Sequence, residues 1–338
     1  MLYRWLFVVL LVSISKMQLS NCLAQGDLTP PGPPDKTFKT LQQIEPRMPI
    51  SGLPYLITNA GSYYVTANLT GVAGANGITI AANDVSLDLN GFAIIGVSNS
   101  LDGIRIGPTG SDAYTNIAIF NGTVRNWDQY GVNAFTFYAY NSRFERLQVS
   151  NNKSTGLACG NGAVVSHCVA LTNGGYGLNG VSSLFESCVA TQNGNEGIQA
   201  GSSRVSNCVA EFNGFSGIRC YNGSLVTGCI SSYNVLSGIA IGADSVASGN
   251  DCLGNNSSGN SNHAGILAFF GPGRIEGNHV SYLNGFGIMV NAGQTGVVVI
   301  KNTTFGNTNN IYSIPSGNDV GPWGKAATAT SPWANLYN

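Results

Sequence analysis

A repeat of about 20 residues runs through the middle of the sequence and constrains the fold more than any other feature. Four segments align without gaps at offsets of 20, 20 and 21 residues. They are 165–178 (VSHCVALTNGGYGL), 185–198 (FESCVATQNGNEGI), 205–218 (VSNCVAEFNGFSGI) and 226–239 (VTGCISSYNVLSGI). Four columns recur in them: Val165, Phe185, Val205 and Val226; Cys168, Cys188, Cys208 and Cys229; Asn173, Asn193, Asn213 and Asn234; Gly177, Gly197, Gly217 and Gly238.

The spacing of turn residues predicts short stacked strands. A glycine followed by an apolar residue also occurs at Gly77, Gly103, Gly131, Gly156, Gly265 and Gly287. Short β-branched runs lie between the turns, and no segment keeps a helical period. We therefore predict an all-β fold over residues 55–310, a single-stranded right-handed parallel β-helix of about ten coils. At about 4.8 Å per coil, the rod would be roughly 45 Å long.

Each column suggests a structural role. The apolar residue after each glycine would point inward and stack on its counterparts in the neighbouring coils. The asparagines would form a ladder of amide hydrogen bonds along a buried turn. Glycine would provide either a positive φ or a close approach of two backbones at the corner.

The cysteines follow the repeat and are not arranged as a disulfide framework. After removal of a signal peptide an odd number would remain, of which four share one ladder column. Stacked parallel side chains point the same way, so we predict buried free thiols that act as small apolar groups. Disulfides stay open as the alternative. A one-dimensional ladder offers few converging ligands, so we predict no metal site and no cofactor.

Composition excludes two classes of protein. Charged residues make up 9% of the chain, the net charge is −1 and 43% of residues are hydrophobic. A disordered chain would be less apolar and more highly charged. A protein that binds duplex nucleic acid would carry a basic stripe, so we expect no nucleic-acid partner.

The N-terminal sequence indicates export, and both ends of the chain differ from the repeats. Residues 1–24 are typical of a signal peptide, with Arg4, the apolar run 6–14 and the small residues before Gln25. A lipoprotein with Cys22 as the lipidated residue is the alternative. We expect no transmembrane segment in the mature chain, and hence a secreted or cell-surface protein. The proline-rich segment 25–54 would be a leader and N-terminal cap, and 311–338 a C-terminal tail or cap.

The sequence also resembles a known group of proteins. The segment 83–92 (NDVSLDLNGF), followed by Gly103-Ile-Arg-Ile and the Cys-Val-Ala coils, resembles right-handed parallel β-helix proteins of the pectate-lyase-like superfamily. The likeness covers roughly residues 50–310 and implies a polysaccharide as the ligand. The family's catalytic motifs are missing, because the chain has no Asp-Asp pair, no Gly-His-Gly and no Asp-Pro-His. The catalytic residues therefore remain unknown.

Two groups of residues are candidates for glycan binding. Alternation along the strand after each glycine turns Asn179, Gln199 and Arg219 outward on successive coils, with Tyr176 and Glu196 just before the corner. In the aromatic stretch 127–140, Trp127 and Tyr130 could stack on sugar rings. Both groups have a structural alternative, since an exposed sheet needs polar residues and aromatic rings can cover a groove. His263 falls in an Asn- and Ser-rich loop, where we expect it to be solvated.

Two functions follow from these observations. The first is an exported β-helix protein that binds polysaccharide or serves at the cell surface, without a recognisable catalytic set. The second is a polysaccharide-active enzyme, a lyase, hydrolase or epimerase acting on a uronate-type glycan. A cleft lined by the row together with an acid or a tyrosine would favour the enzyme, and a flat polar face would favour the binder.

Overall fold

Short strands form in each repeat because β-branched and other apolar residues alternate there with polar ones, while Gly, Asn and Ser occupy the corners. The computed structural model describes residues 44–107, 113–134, 139–308 and 312–337. Residues 47–338 make one compact unit, and the unit 1–46 is described only at residues 44–46. The predicted signal peptide, Cys22 and most of the predicted leader lie outside the described residues.

Each regular coil adds one strand to each of three parallel sheets, here called sheets I, II and III. The strands of sheet I are Tyr55–Ile57, Ile78–Ile80, Ile104–Ile106, Val132–Asn133, Leu157–Asn161, Leu178–Val181, Ile198–Gly201, Ile218–Cys220, Ile239–Ile241, Ala264–Ala268, Phe286–Val290 and Tyr312–Ser313. Sheet II contains Met48–Ile50, Gly61–Val65, Val85–Asp88, Val164–Ser166, Leu184–Glu186, Arg204–Ser206, Leu225–Thr227, Ser245–Ser248, Gly273–Glu276, Val297–Ile300 and Asp319–Val320.

Sheet III follows sheet II along the chain. Its strands are Leu69–Thr70, Ala93–Ile95, Val169–Leu171, Val189–Thr191, Val209–Glu211, Ile230–Ser232, Asp251–Leu253, His279–Ser281, Thr303–Phe305 and Asn335–Tyr337, with Trp323–Gly324 beside the last. The long strands Ala118–Arg125 and Arg143–Ser150 pass from sheet II into sheet III. Two further strands, Tyr114–Thr115 and Ala139–Tyr140, pair with each other beside sheet I.

The molecule is a right-handed parallel β-helix, as predicted, with about 12 coils where we predicted about ten. The two extra coils are the terminal ones, whose sheet I strands follow Pro54 and Ile311 and lack the glycine that marks the other coils. Regular pairing also extends beyond residues 55–310. The strand Met48–Ile50 pairs with Gly61–Val65, and Asn335–Tyr337 pairs with Thr303–Phe305. Pro49 fits there because a terminal strand has one free edge.

The asparagine column forms the predicted ladder. Each side-chain nitrogen donates to the side-chain oxygen of the next member at 2.8 to 3.0 Å, and also to a backbone carbonyl. The ladder is longer than the four predicted members and runs through Asn152, Asn173, Asn193, Asn213, Asn234 and Asn255. These amides are buried, and their bonds to one another and to backbone groups satisfy their hydrogen-bonding capacity in the corner.

The cysteine column continues as a second asparagine ladder. Cys188 donates its backbone N–H to Cys208 Sγ at 3.4 Å, which confirms that residues one repeat apart are neighbours. After Cys229 the column holds an unpredicted set of amides linked in the same way: Asn250, Asn278, Asn302 and Asn335. The seven cysteines among the described residues are buried and are not disulfide-bonded.

Glycine is required in this column because successive coils approach one another closely there, and not because the backbone adopts a positive φ. A Cβ added at any member from Gly77 to Gly265 would lie 2.5 to 2.9 Å from the carbonyl oxygen of the next glycine in the column. None of these glycines has a positive φ. Of the two predicted reasons for glycine, close packing of successive coils is the one that holds.

Candidate functional site

The predicted row lies on the outer face of sheet I. Asn179, Gln199 and Arg219 are direct partners on three successive strands, while Leu178, Ile198 and Ile218 beside them point into the core. Asn179 Nδ2 donates to Gln199 Oε1 at 2.6 Å, and Gln199 Nε2 donates to the Tyr221 hydroxyl at 3.1 Å. The side chains therefore form one hydrogen-bonded line along the axis of the helix.

Arg219 is held by aromatic rings. Its guanidinium carbon lies 4.6 Å from the centre of the Phe269 ring and 5.5 Å from that of Tyr221, and the two rings meet edge to face at 5.9 Å. Its Nε is buried without a hydrogen-bond partner. Within the described part of the chain it forms no ion pair. A guanidinium positioned by cation–π contacts keeps its charge for a ligand.

Tyr176 and Glu196 occupy equivalent corner positions on neighbouring coils. Burial raises the pKa of Glu196, and the positive charge of Arg219 offsets only part of that rise. Burial and the charges of Glu196 and Tyr221 raise the pKa of Tyr176, against a hydrogen bond with Gln199 and the charge of Arg219. The site thus combines a phenol, a carboxyl group of weakened acidity and a cation.

A cavity of about 230 Å³ lies beside Tyr176, Asn179 and Gln199. Its lining consists of Tyr176, Asn179, Gly180, Val181, Gln199, Ala200, Gly201 and Tyr221. Asn179 is only 6% exposed, and its Oδ1 has no hydrogen-bond partner. An unpaired buried acceptor costs free energy, so a ligand that donates a hydrogen bond to this oxygen would bind more favourably. We call this cavity, together with Glu196 and Arg219, the sheet I groove.

Two larger cavities lie near the C-terminal strands, with volumes of about 410 and 390 Å³. The first contains Arg274, whose charge is already paired with Glu276. The second has a mostly apolar surface, lined by Phe305, Ala326, Ala327 and Leu336 together with Thr303, Lys325 and Tyr337. Size alone therefore favours them, but the chemistry of the side chains favours the sheet I groove.

Three residues near the groove were not among the predicted ones. Tyr221 stands two residues beyond Arg219, so alternation could have identified it, whereas Phe269 comes from a turn two coils away. His263 was expected to be solvated, and it is only partly so. Its ring is half-buried, with Nδ1 3.1 Å from Ser237 Oγ. Burial and the nearby charge of Arg219 lower its pKa.

The aromatic candidates do not join this site. Trp127 is fully buried and donates its Nε1–H to the Ile94 carbonyl at 3.3 Å. It fills core space above Gly71 and Gly77 and has no face for a sugar, so we withdraw it. Tyr130 is half-buried two coils before Tyr176, in the same corner column. Residues 135–138 of the aromatic stretch lie outside the described residues.

No group of three or more His, Cys, Asp or Glu side chains suited to a metal ion occurs among the described residues. The same residues contain no helix with the length and apolarity needed to span a bilayer.

Several solved structures share this architecture. The A-modules of two mannuronan C-5 epimerases of Azotobacter vinelandii are similar. AlgE6 has 17% identity and a TM-score of 0.64 over 81% of this chain and 90% of its own. AlgE4 has 16% identity and a TM-score of 0.53 over 82% and 91%. The Agl-KA catalytic domain has 14% identity and a TM-score of 0.56 over 80% and 61%.

At these identities the likeness concerns the fold. No protein-family model matches the sequence, and no curated protein matches it. The repeat, the three parallel sheets and the structural matches agree, and the protein is a right-handed parallel β-helix.

Proposed function

We propose that the protein binds an acidic polysaccharide in the sheet I groove. The observation that carries this proposal is the Arg219 guanidinium, which contacts two aromatic rings and forms no ion pair among the described residues. A charge held in this way suits the carboxylate of a sugar acid. The amides of Asn179 and Gln199 beside it suit sugar hydroxyls.

The fold supports the same class of ligand. Two proteins with this architecture are named as mannuronan C-5 epimerases. Acidic glycans are therefore the first ligands to test. The groove also contains few other charges, so recognition would rest on one cation and a line of hydrogen-bonding groups.

Titration calorimetry with acidic and neutral oligosaccharides of equal length tests the proposal. Wild-type protein should prefer the acidic series, and Arg219→Gln should lose about tenfold or more in affinity for it, because a charge-assisted hydrogen bond is lost. The matched control is Arg204→Gln, an exposed arginine on sheet II. Equal affinity of Arg219→Gln and wild type would reject the groove as the binding site.

A second candidate function is catalysis on the same glycan. Tyr176 lines the cavity, and the charge of Arg219 acts to lower the pKa of Tyr176, Glu196 and His263, which shows that these groups are near one another. Removing the proton next to a sugar carboxylate needs a base and a cation that neutralises the carboxylate. His263, with its lowered pKa, is unprotonated at neutral pH and can accept a proton. Tyr176, with its raised pKa, keeps a proton that it can donate.

Incubation with uronate polymers distinguishes the two functions. A lyase produces unsaturated ends that absorb in the ultraviolet, an epimerase exchanges the C5 hydrogen with deuterated water, and a hydrolase releases reducing ends. Under the catalytic proposal Tyr176→Phe and His263→Asn abolish the product and keep binding. Binding without any of the three products would leave the protein a binder.

The proposed place of action is outside the cytoplasm, in solution or at the cell surface. This proposal rests on the N-terminal sequence with Arg4 and the apolar run 6–14. Mass spectrometry of the exported protein tests it. A chain starting at Gln25 supports a cleaved signal peptide, a lipid on Cys22 supports the lipoprotein alternative, and an intact Met1 contradicts both.

A further inference from the structure

The sheet I groove is closed at both ends along the axis. In the outward column, Ala158 precedes Asn179 and Ala240 follows Arg219. Both alanines have 0% exposed surface, although they stand on the outer face of the sheet. Other residues therefore cover the face at these two coils. Between the two alanines Asn179 is only 6% exposed, and Gln199 and Arg219 are half-buried, so the partly open stretch of the face covers at most about 10 Å of axis.

The end beside Arg219 has an identifiable wall. Phe269 packs on Ala240 and Leu267 in a small apolar cluster outside the main core, with Met289 against it. Its ring reaches the Arg219 guanidinium at 4.6 Å and is itself only 6% exposed. Phe270 supports it edge to face at 5.2 Å. An extended chain lying along the column would have to displace this packed ring.

We infer that the groove takes the terminal sugars of an acidic glycan, or a short oligosaccharide, and not an internal stretch of a long polymer. This inference rests on the proposed function and narrows its ligand. A chain end can place its last carboxylate against Arg219 and leave the rest of the glycan in solvent. An internal segment would need the face to be open beyond both alanines.

Calorimetry with uronate dimers, trimers, tetramers and hexamers tests this inference. We expect affinity to stop rising at the dimer or trimer, with longer oligomers equal within about twofold. We also expect one bound protein for each glycan chain, whatever its length. Affinity and stoichiometry that rise up to the hexamer would overturn the inference. Failure of every oligomer to bind would instead reject the proposed function itself.

Removing the wall gives a second test. Phe269→Ala should let hexamers bind more tightly than dimers by opening the face toward Ala240. Phe269→Leu keeps most of the apolar packing and serves as the control for folding, with thermal unfolding measured for both variants. If a folded Phe269→Ala variant kept the wild-type dependence on length, the ring would not be what limits the groove, and the inference would fail.

Discussion

The side-chain amide of Asn193 donates a hydrogen bond of 3.0 Å to the side-chain oxygen of Asn213, which occupies the same position one coil further along the helix. The same oxygen accepts the backbone N–H of Asn193 at 3.0 Å. Asn213 in turn donates to the Ala190 carbonyl and to Asn234. One amide therefore satisfies buried groups on the coil before its own and on the coil after it.

This relationship predicts a large cost for Asn213→Ala. The substitution removes the acceptor of the Asn193 backbone N–H and the side-chain donor to the Ala190 carbonyl in a buried corner, and each such loss costs about 1 to 3 kcal/mol. We expect the free energy of unfolding to fall by on the order of 4 kcal/mol. Urea denaturation measures it, with Asn195→Ala, a half-buried asparagine of the adjacent turn, as control. Equal stability of the two variants would contradict the ladder.

The glycine column gives a second prediction. A Cβ at position 197 would lie 2.6 Å from Asn213 Nδ2 and 2.8 Å from the Gly217 carbonyl oxygen. Neither atom can move without breaking the pairing of successive coils. We expect Gly197→Ala to destabilise the protein by about 3 kcal/mol or more. Gly52→Ala meets no atom within 4 Å and should change stability by less than about 0.5 kcal/mol. A neutral Gly197→Ala would mean that the coils tolerate wider spacing.

Buried thiols predict a loss of stability at alkaline pH. Burial raises the pKa of Cys159 to about 12 and also raises those of Cys220 and Cys252. In the unfolded chain these thiols lose their protons above about pH 8.5, while the folded state keeps them. The folded state then binds more protons, so stability is complete below that pH and falls as pH rises, by about 1.4 kcal/mol per pH unit for each thiol.

Urea denaturation at a series of alkaline pH values measures this slope. Cys252→Ala should reduce the slope of the unfolding free energy against pH by the contribution of one thiol. The core should tolerate this substitution, because the same column holds Ala190 and Ala210 in earlier coils. Thiol titration supports the measurement. The native protein should not react, and the unfolded protein should expose the seven described cysteines. Fewer reactive thiols would indicate disulfides.

Periodicity explains which parts of the structure the sequence could predict. Asn173 and Cys188 each have counterparts at a fixed spacing, so their neighbours were predictable without coordinates. Trp127 has no such counterparts, and a single aromatic residue does not reveal which side of a strand it occupies. The second amide ladder was missed because its column changes residue type between Cys229 and Asn250.

The groove was predictable only in part, for a related reason. Asn179, Gln199 and Arg219 follow directly from alternation within equal repeats. Phe269 and His263 lie in coils with longer connections, where the column position cannot be counted from the repeat. Whether an outward face is open or covered depends on such connections. The burial of Ala158 and Ala240 is therefore a property that only the folded structure shows.

The last prediction concerns pH and glycan binding. Burial raises the pKa of Glu196, so its carboxylate takes up a proton at higher pH than an ordinary glutamate does. Protonation removes a negative charge beside Arg219, and an acidic glycan should then bind more tightly as pH falls. Protonation of His263 would act in the same direction, but at lower pH than for an ordinary histidine, because burial and the charge of Arg219 lower its pKa. Tyr176 stays protonated throughout, since its pKa is raised.

We expect affinity for an acidic trimer to increase about fivefold as Glu196 becomes protonated, from the loss of one charge repulsion near the protein surface. Glu196→Gln should bind with the higher affinity at neutral pH and should lose most of the pH dependence. Glu186→Gln, an exposed glutamate on sheet II, is the control and should behave as wild type. Calorimetry at several pH values measures these effects. If Glu196→Gln kept the wild-type pH dependence, the Glu196 carboxyl group would have no influence on the bound glycan and would not belong to the site.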